Sequence, residues 1–143
     1  RMLKNFDQIY TYAVVLDAVK ELDYLIVLEP YTPENEGMVN SEIFFRMKDS
    51  AFVINLARGK VVDDEALISA LTNGDIAGAG LDVFAKEPLQ SSSPLWDFNN
   101  VIITPHIGGM SETYVRQAMP VIEHNLRAYL ENDYGRMMNR VTR

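Results

Sequence analysis

Three stretches of the chain each deliver to a strand end a residue able to bind an anion or carry a proton. They are Asn55-Leu56-Ala57-Arg58-Gly59, Leu81-Asp82-Val83-Phe84-Ala85-Lys86-Glu87-Pro88 and Thr104-Pro105-His106-Ile107-Gly108-Gly109. Each follows a β-rich apolar run, so Arg58, Glu87 and His106 can meet at one edge of a parallel sheet. A guanidinium grips a carboxylate through two parallel hydrogen bonds, which an ammonium cannot copy. A carboxylate bonded to an imidazole sets its tautomer and favours its protonated form. Together the three suit anchoring a carboxylate while a proton moves to or from its neighbouring carbon.

Taken singly, each has a plainer reading. Arg58 could close a loop beside Gly59, Glu87 could be a loop residue before Pro88, and His106 could be structural. Asp82 could cap the turn after its strand or meet a ligand. Gly108 and Gly109 could be a hinge or could allow close approach of a ligand. The second of the two histidines, His124, falls among polar neighbours in a helical stretch and reads as solvated or interfacial. No His-x-x-x-His pattern or cysteine cluster suggests a metal site, and no Gly-x-Ser-x-Gly elbow suggests a serine hydrolase.

The elements that must position these groups alternate between strand and helix. Helical spacing of Val14, Val15, Ala18, Val19 and Leu22 predicts a helix ending near Asp23. The stretches 24–28 and 51–56 read as buried strands, and 76–84 and 101–104 as a third and fourth strand, the third unusually small at Ala77-Gly78-Ala79-Gly80, where a backbone or ligand could come close. Between them fall a short helix over 40–47 and a second one opened by Asp63, Asp64 and Glu65 and closed at Gly74. Ser111 is placed to cap a final helix to about Glu131, which Pro120 should interrupt and kink. This order predicts an α/β fold, a partial doubly wound parallel sheet with a long C-terminal crossover helix. Ligands bind such sheets beyond the carboxyl ends of the strands, where Arg58, Asp82, Glu87 and His106 lie.

The chain has 143 residues, 48% of them hydrophobic, a formal charge of −7 and no cysteine. It is long enough for one core. Its acidity argues against a nucleic-acid or anionic-membrane partner, and the lack of cysteine fits the cytoplasm. No apolar stretch approaches the roughly 18–20 residues of a membrane span. Arg1-Met2-Leu3-Lys4 does not lead into a signal-type apolar core.

From about Asp23 to the end of the last helix the motifs resemble the D-isomer-specific 2-hydroxyacid dehydrogenases. The run from Asn55 to Asp63 is similar to that family's arginine segment. Gly78 through Pro88 is similar to its glutamate segment, and Pro94-Leu95-Trp96 through His106 to its histidine segment. The resemblance implies the C-terminal half of a Rossmann-like cofactor domain over residues 1–110. Residues 111–143 would form a crossover helix and tail returning towards a substrate domain. It implies NAD as cofactor, with NADP open because that choice rests on a strand end from which only Arg1 could come. Arg58 would bind the substrate carboxylate and polarise its 2-oxo group. His106 would donate the proton, and Glu87 would orient it. Asp82 would contact the nicotinamide carboxamide, with Ala57, Arg58, His106, Gly108 and Gly109 lining that end. Pro30 and Asn35 match positions on the loop between adenosine and nicotinamide.

The chain departs from the family pattern in lacking the Gly-x-Gly-x-x-Gly phosphate turn and the substrate domain. It also carries Leu28 at a frequent histidine position. The reading at this stage is therefore a fragment, expected to be inactive alone, of an enzyme acting on a small 2-oxo or 2-hydroxy acid. The alternative is a nonenzymatic nucleotide-binding or assembly module related to the same family. The apolar residues Val115, Ala118, Met119, Ile122, Leu126, Tyr129 and Leu130 on the last helix point to a homodimer.

Overall fold

Four parallel strands form one sheet in the order β1-β2-β3-β4, with β1 at Tyr24–Val27, β2 at Phe52–Asn55, β3 at Gly78–Leu81 and β4 at Val101–Ile103. The computed structural model describes residues 7–141, so Arg1, the one residue expected to bear on NAD against NADP, lies outside the described residues. The helices are α1 (Val15–Ala18), α2 (Ser41–Arg46), α3 (Asp64–Asn73) and α4 (Tyr114–Leu130). The parallel α/β architecture expected from the alternation is present.

Local chemistry explains the helix ends. Asn40 accepts the amides of Glu42 and Ile43 at the start of α2, and Asp63 those of Glu65 and Ala66 at the start of α3. Such a cap satisfies donors that the helix cannot, worth about 1 kcal/mol. Gly74 closes α3 with φ 76°, the left-handed conformation that glycine adopts without a side-chain clash. Leu67, Ala70 and Leu71 of α3 are buried, as are Ile43 and Phe44 of α2, and the two helices pack together. Each fully buried large side chain contributes about 1.5–3 kcal/mol.

The sheet advances in one direction, and right-handed crossovers in one direction keep their helices on one face. Val27, Val53, Asn55, Ala79 and Leu81 are accordingly buried. The other face stays open: Tyr24 is 60% exposed, Ile26 52% and Ile102 72%, and Tyr24 stacks on Phe52 at 5.8 Å. This corrects the expectation of strands buried on both faces. The strands are also shorter than their apolar runs, because Asp82–Phe84 and Leu28 leave the ladder. At Gly78 the close approach is made by another backbone. A Cβ there would meet the Asn100 carbonyl oxygen at 2.3 Å.

The first helical segment is broken. A 3₁₀ turn at Tyr12–Val14 runs into α1 and then into a second at Val19–Glu21. Three β-branched valines at 14, 15 and 19 restrict side-chain rotamers against the preceding turn, and burial of Val19 anchors the segment.

The chain forms two compact units, Arg1–Gly108 and Gly109–Arg143. In the second, α4 runs unbroken through Pro120 instead of being interrupted. The bond lost is the one to the Arg116 carbonyl; Arg116 is exposed, and water can take its place. Thr113, not Ser111, stands at the cap position. The Ser111 hydroxyl accepts the Thr113 amide one turn earlier. His124 is half-buried, with Nε2 2.7 Å from the Arg136 carbonyl oxygen, and Asn125 exchanges two hydrogen bonds with the Met138 backbone. These bonds tie the turn at Tyr134–Arg136 and its following residues to α4.

Candidate active site

The arginine loop leaves β2 through Asn55, which is 1% exposed. Its side chain accepts the Ala57 amide at 3.1 Å and donates to the Arg58 carbonyl at 3.2 Å. A buried amide so satisfied sets the shape of the turn that carries Arg58. Arg58 is exposed, with Nη1 donating to the Ala57 carbonyl at 2.6 Å and the rest of its fork without a hydrogen-bond partner among the described residues. The loop then lies directly on the glutamate loop: a Cβ on Gly59 would sit 1.8 Å from the Phe84 carbonyl carbon.

Glu87 uses both carboxylate oxygens. Oε1 accepts the Phe84 amide at 3.0 Å, and Oε2 lies 2.8 Å from His106 Nδ1. The hydrogen bond with His106, then that from Phe84, holds the Glu87 carboxyl below the usual carboxylate range. An ionised Glu87 requires the proton on Nδ1, which leaves Nε2 as the atom that can give or take a proton outside the pair.

His106 itself has φ 55°, a left-handed conformation that costs a residue with a side chain about 1 kcal/mol or more. Asp82, 3% exposed, holds it there. Its Oδ1 accepts the Thr104 hydroxyl at 2.5 Å and the Ile107 amide at 2.9 Å, and Oδ2 accepts the Gly108 amide at 2.7 Å. The carboxylate thus clamps the backbone on both sides of the histidine. Burial alone would push the Asp82 carboxyl up. The hydrogen bonds from Thr104, Gly108 and Ile107 outweigh it and hold the group below its ordinary value.

A folded-state value below the unfolded one means that Asp82 stabilises the loop above the unfolded value. That stability is lost as pH falls through the folded value. The amide proton shifts of Ile107 and Gly108 should therefore titrate together, with a midpoint below the roughly 3.9 of a free aspartate. A midpoint at or above that value would contradict the clamp.

Pro30, Tyr31, Arg58, Lys60, Glu87 and His106 line one cavity of about 480 Å³. The expected residues Pro30, Arg58, Glu87 and His106 are therefore brought together at the carboxyl ends of β1, β2 and β3 and the start of the loop after β4. Others among the expected residues lie elsewhere. Ala57 is buried, its amide and carbonyl both taken. Asn35 spends its side chain inside its own loop, on the Pro30 carbonyl at 2.9 Å and the Thr32 amide at 2.7 Å. Gly108 sits on Asp82, and Gly109 begins the second unit.

Sequence reasoning missed two features. Asn55 was signalled only as a polar residue closing an apolar run. Lys60 lies over the Tyr31 ring, 5.6 Å from its centre and 3.8 Å from Glu36, to which Tyr31 also donates. The hydrogen bond to Glu36 raises the Tyr31 hydroxyl above its usual range. These contacts, with the Gly37 amide on the Lys60 carbonyl at 2.8 Å, join the loop after β1 to the arginine loop. Among the described residues no cluster of histidine and carboxylate side chains could hold a metal ion. Nor is any helix there long and apolar enough to cross a membrane.

A parallel α/β sheet with its polar groups gathered beyond the strand ends defines the class. Residues 3–108 match the model of the D-isomer specific 2-hydroxyacid dehydrogenase NAD binding domain, and the chain belongs to that family. It is 46% identical over 120 residues to a glyoxylate reductase of Pyrococcus furiosus, covering 82% of this chain and 35% of the relative. A D-3-phosphoglycerate dehydrogenase of Synechocystis is 44% identical over 119 residues, covering 82% of this chain and 21% of the relative. Among solved structures, a D-isomer specific 2-hydroxyacid dehydrogenase of Xanthobacter autotrophicus Py2 in complex with NADPH and MES superimposes with a TM-score of 0.80. It is 38% identical, over 91% of this chain and 52% of that one. The chain thus spans 35% and 21% of the length of these two curated relatives.

Proposed function

We propose that this chain contributes the proton-transfer and carboxylate-binding groups of an NAD(P)-dependent reductase of small 2-oxo acids. The observation that carries the reading is the hydrogen-bonded Glu87–His106 pair facing the same cavity as Arg58. Arg58 holds the substrate carboxylate and polarises the adjacent carbonyl, and Glu87 keeps the imidazole oriented. His106 gives its Nε2 proton to the carbonyl oxygen, producing the 2-hydroxy acid. A nicotinamide, when bound, supplies the hydride to the carbonyl carbon. The cavity rim fits it: Pro30, Arg58 and His106 bound a space of about 480 Å³ at the strand ends, and Gly108 and Asp82 close the loop beside it.

The test uses a protein of the relatives' full length that includes these residues, and follows oxidation of NADH or NADPH that depends on an added 2-oxo acid, read as loss of the reduced cofactor's absorbance. Reduction of glyoxylate or hydroxypyruvate is expected, as the names of the relatives suggest. A preparation that binds reduced cofactor yet reduces no 2-oxo acid would overturn the reading.

The same proposal includes self-association through α4. Val115, Met119, Ile122, Leu126 and Tyr129 repeat at alternating steps of four and three, and all five are exposed. That spacing is a coiled-coil seam. An antiparallel second copy centred near Pro120 and Val121 would set Met119 opposite Ile122 and Val115 opposite Leu126. Arg116 then lies beside the partner's Glu123 on both sides of the axis. Sedimentation should give a dimer for the wild type and a monomer for Ile122→Asp. A wild-type monomer at high concentration would exclude the seam.

A further inference from the structure

Two polar side chains are buried in the core of the described residues, Asn55 and Asp82, at 1% and 3% exposed. They are neighbours. Asn55 closes β2, and its carbonyl accepts the Asp82 amide at 3.1 Å, one step beyond the pairing of Asn55 with Leu81. A polar side chain withdrawn from water destabilises the fold unless its atoms find partners. Both residues find theirs in the loops beyond the strand ends.

The two divide those loops between them. Asp82 holds Thr104, Ile107 and Gly108, on both sides of His106. Asn55 holds the arginine loop: its Oδ1 accepts the Ala57 amide, and its Nδ2 donates to the Arg58 carbonyl. The peptide group between Ala57 and Arg58 is thus fixed from either end. That peptide's own carbonyl, on Ala57, accepts Nη1 of Arg58 at 2.6 Å. A chain of contacts runs from the buried amide through the backbone to the guanidinium, and the bond to Asp82 registers this loop against the one carrying His106.

We infer that Asn55 is a positioning residue for Arg58, setting the direction in which the guanidinium fork meets the cavity. The inference rests on the proposed function, in which that fork holds the substrate carboxylate. An asparagine amide offers one acceptor and one donor at a fixed separation, which is what the Ala57 amide and the Arg58 carbonyl require. A residue that only stabilised the fold would act on the amount of folded enzyme, lowering kcat and the thermal midpoint and leaving KM alone. A positioning residue acts on KM, because the carboxylate grip is what it supports.

The experiment uses a protein of the relatives' full length that includes these residues, with glyoxylate as substrate. Asn55→Asp keeps the shape and the acceptor but, when ionised, turns a second acceptor towards the Arg58 carbonyl. KM for glyoxylate should rise about tenfold or more, the worth of one hydrogen bond whose partner is left unpaired, with kcat within about threefold of the wild type. As pH falls, the introduced carboxyl takes up a proton and regains a donor. The quotient of variant KM over wild-type KM should then fall towards one, and burial should place this recovery above the roughly 3.9 of a free aspartate. Taking the quotient removes the titration of His106, which both proteins share. Asn55→Ser is too short to span both groups and carries no carboxyl. It should raise KM at every pH, and it tests the same role if the aspartate variant does not fold.

Unchanged KM in these variants overturns the inference, including the case where kcat and the thermal midpoint fall. A raised KM in Asn55→Asp that does not recover on acidification overturns it too, since the donor to the Arg58 carbonyl would then be irrelevant. Arg58→Lys separates the inference from the reading beneath it. If that variant raises KM and the Asn55 variants do not, only the positioning role fails and the carboxylate site stands. If Arg58→Lys leaves KM unchanged, the carboxylate site is wrong and the role of Asn55 falls with it.

Discussion

In the proposed reaction of the full-length protein, His106→Ala should lower 2-oxo acid reduction by about 10²–10⁴-fold, the usual worth of a positioned acid–base group. The loss should fall on kcat, because Arg58 still holds the carboxylate while nothing protonates the carbonyl oxygen. Removing the imidazole also strips Glu87 of the hydrogen bond that most lowers its carboxyl, so that group should titrate at higher pH in the variant. Alanine has a second effect, since position 106 has φ 55°. His106→Asn is the control: asparagine tolerates the left-handed conformation and can still bond Glu87, yet cannot deliver a proton. Equal inactivity in the two variants assigns the loss to proton transfer. Near-normal turnover in either would remove His106 from the chemistry. Arg58→Lys should raise KM by more than about tenfold, because an ammonium does not reproduce the bidentate grip.

What could be read from the sequence divides by distance along the chain. The caps at Asn40 and Asp63 and the stop at Gly74 are local, settled by residues two or three positions away, and they stand where the spacing puts them. The pairing of Glu87 with His106 spans 19 positions. It was legible only because three strand-end motifs could be considered jointly.

Asp82 was ambiguous for a related reason. Its donors Ile107 and Gly108 lie 25 and 26 positions away, and nothing near Asp82 announces them. The Tyr31–Glu36–Lys60 contacts depend on two loops meeting. The open sheet face could not be read from apolar runs either. Ile26 and Val27 are equally apolar, and only the direction in which the strands are laid down decides which is covered.

Gly59→Ala should be the most damaging single-methyl change at the site, and the reason is space. Gly59 does not have a positive φ, so no conformational strain is involved. Its absent Cβ would fall 1.8 Å from the Phe84 carbonyl carbon and 2.2 Å from the Ala85 nitrogen. Both are backbone atoms, which cannot rotate aside, whereas ordinary contact begins near 3.4 Å. The arginine loop and the glutamate loop must therefore separate by about 1 Å or more. Overpacking of this kind costs about 1–3 kcal/mol, or a fall of several degrees in the thermal midpoint for a chain of this size.

Under the proposed function, the effect on turnover should exceed the effect on stability. A displacement of about 1 Å between groups that must meet one substrate costs on the order of 10²-fold in rate. Gly80→Ala is the reference, for its Cβ would meet only Ile54 side-chain atoms at 3.8 Å. Calorimetry should place Gly80→Ala within about 0.5 kcal/mol of the wild type and Gly59→Ala well below both. Equal midpoints and equal turnover for the two alanine variants would mean that the arginine and glutamate loops are not packed backbone against backbone.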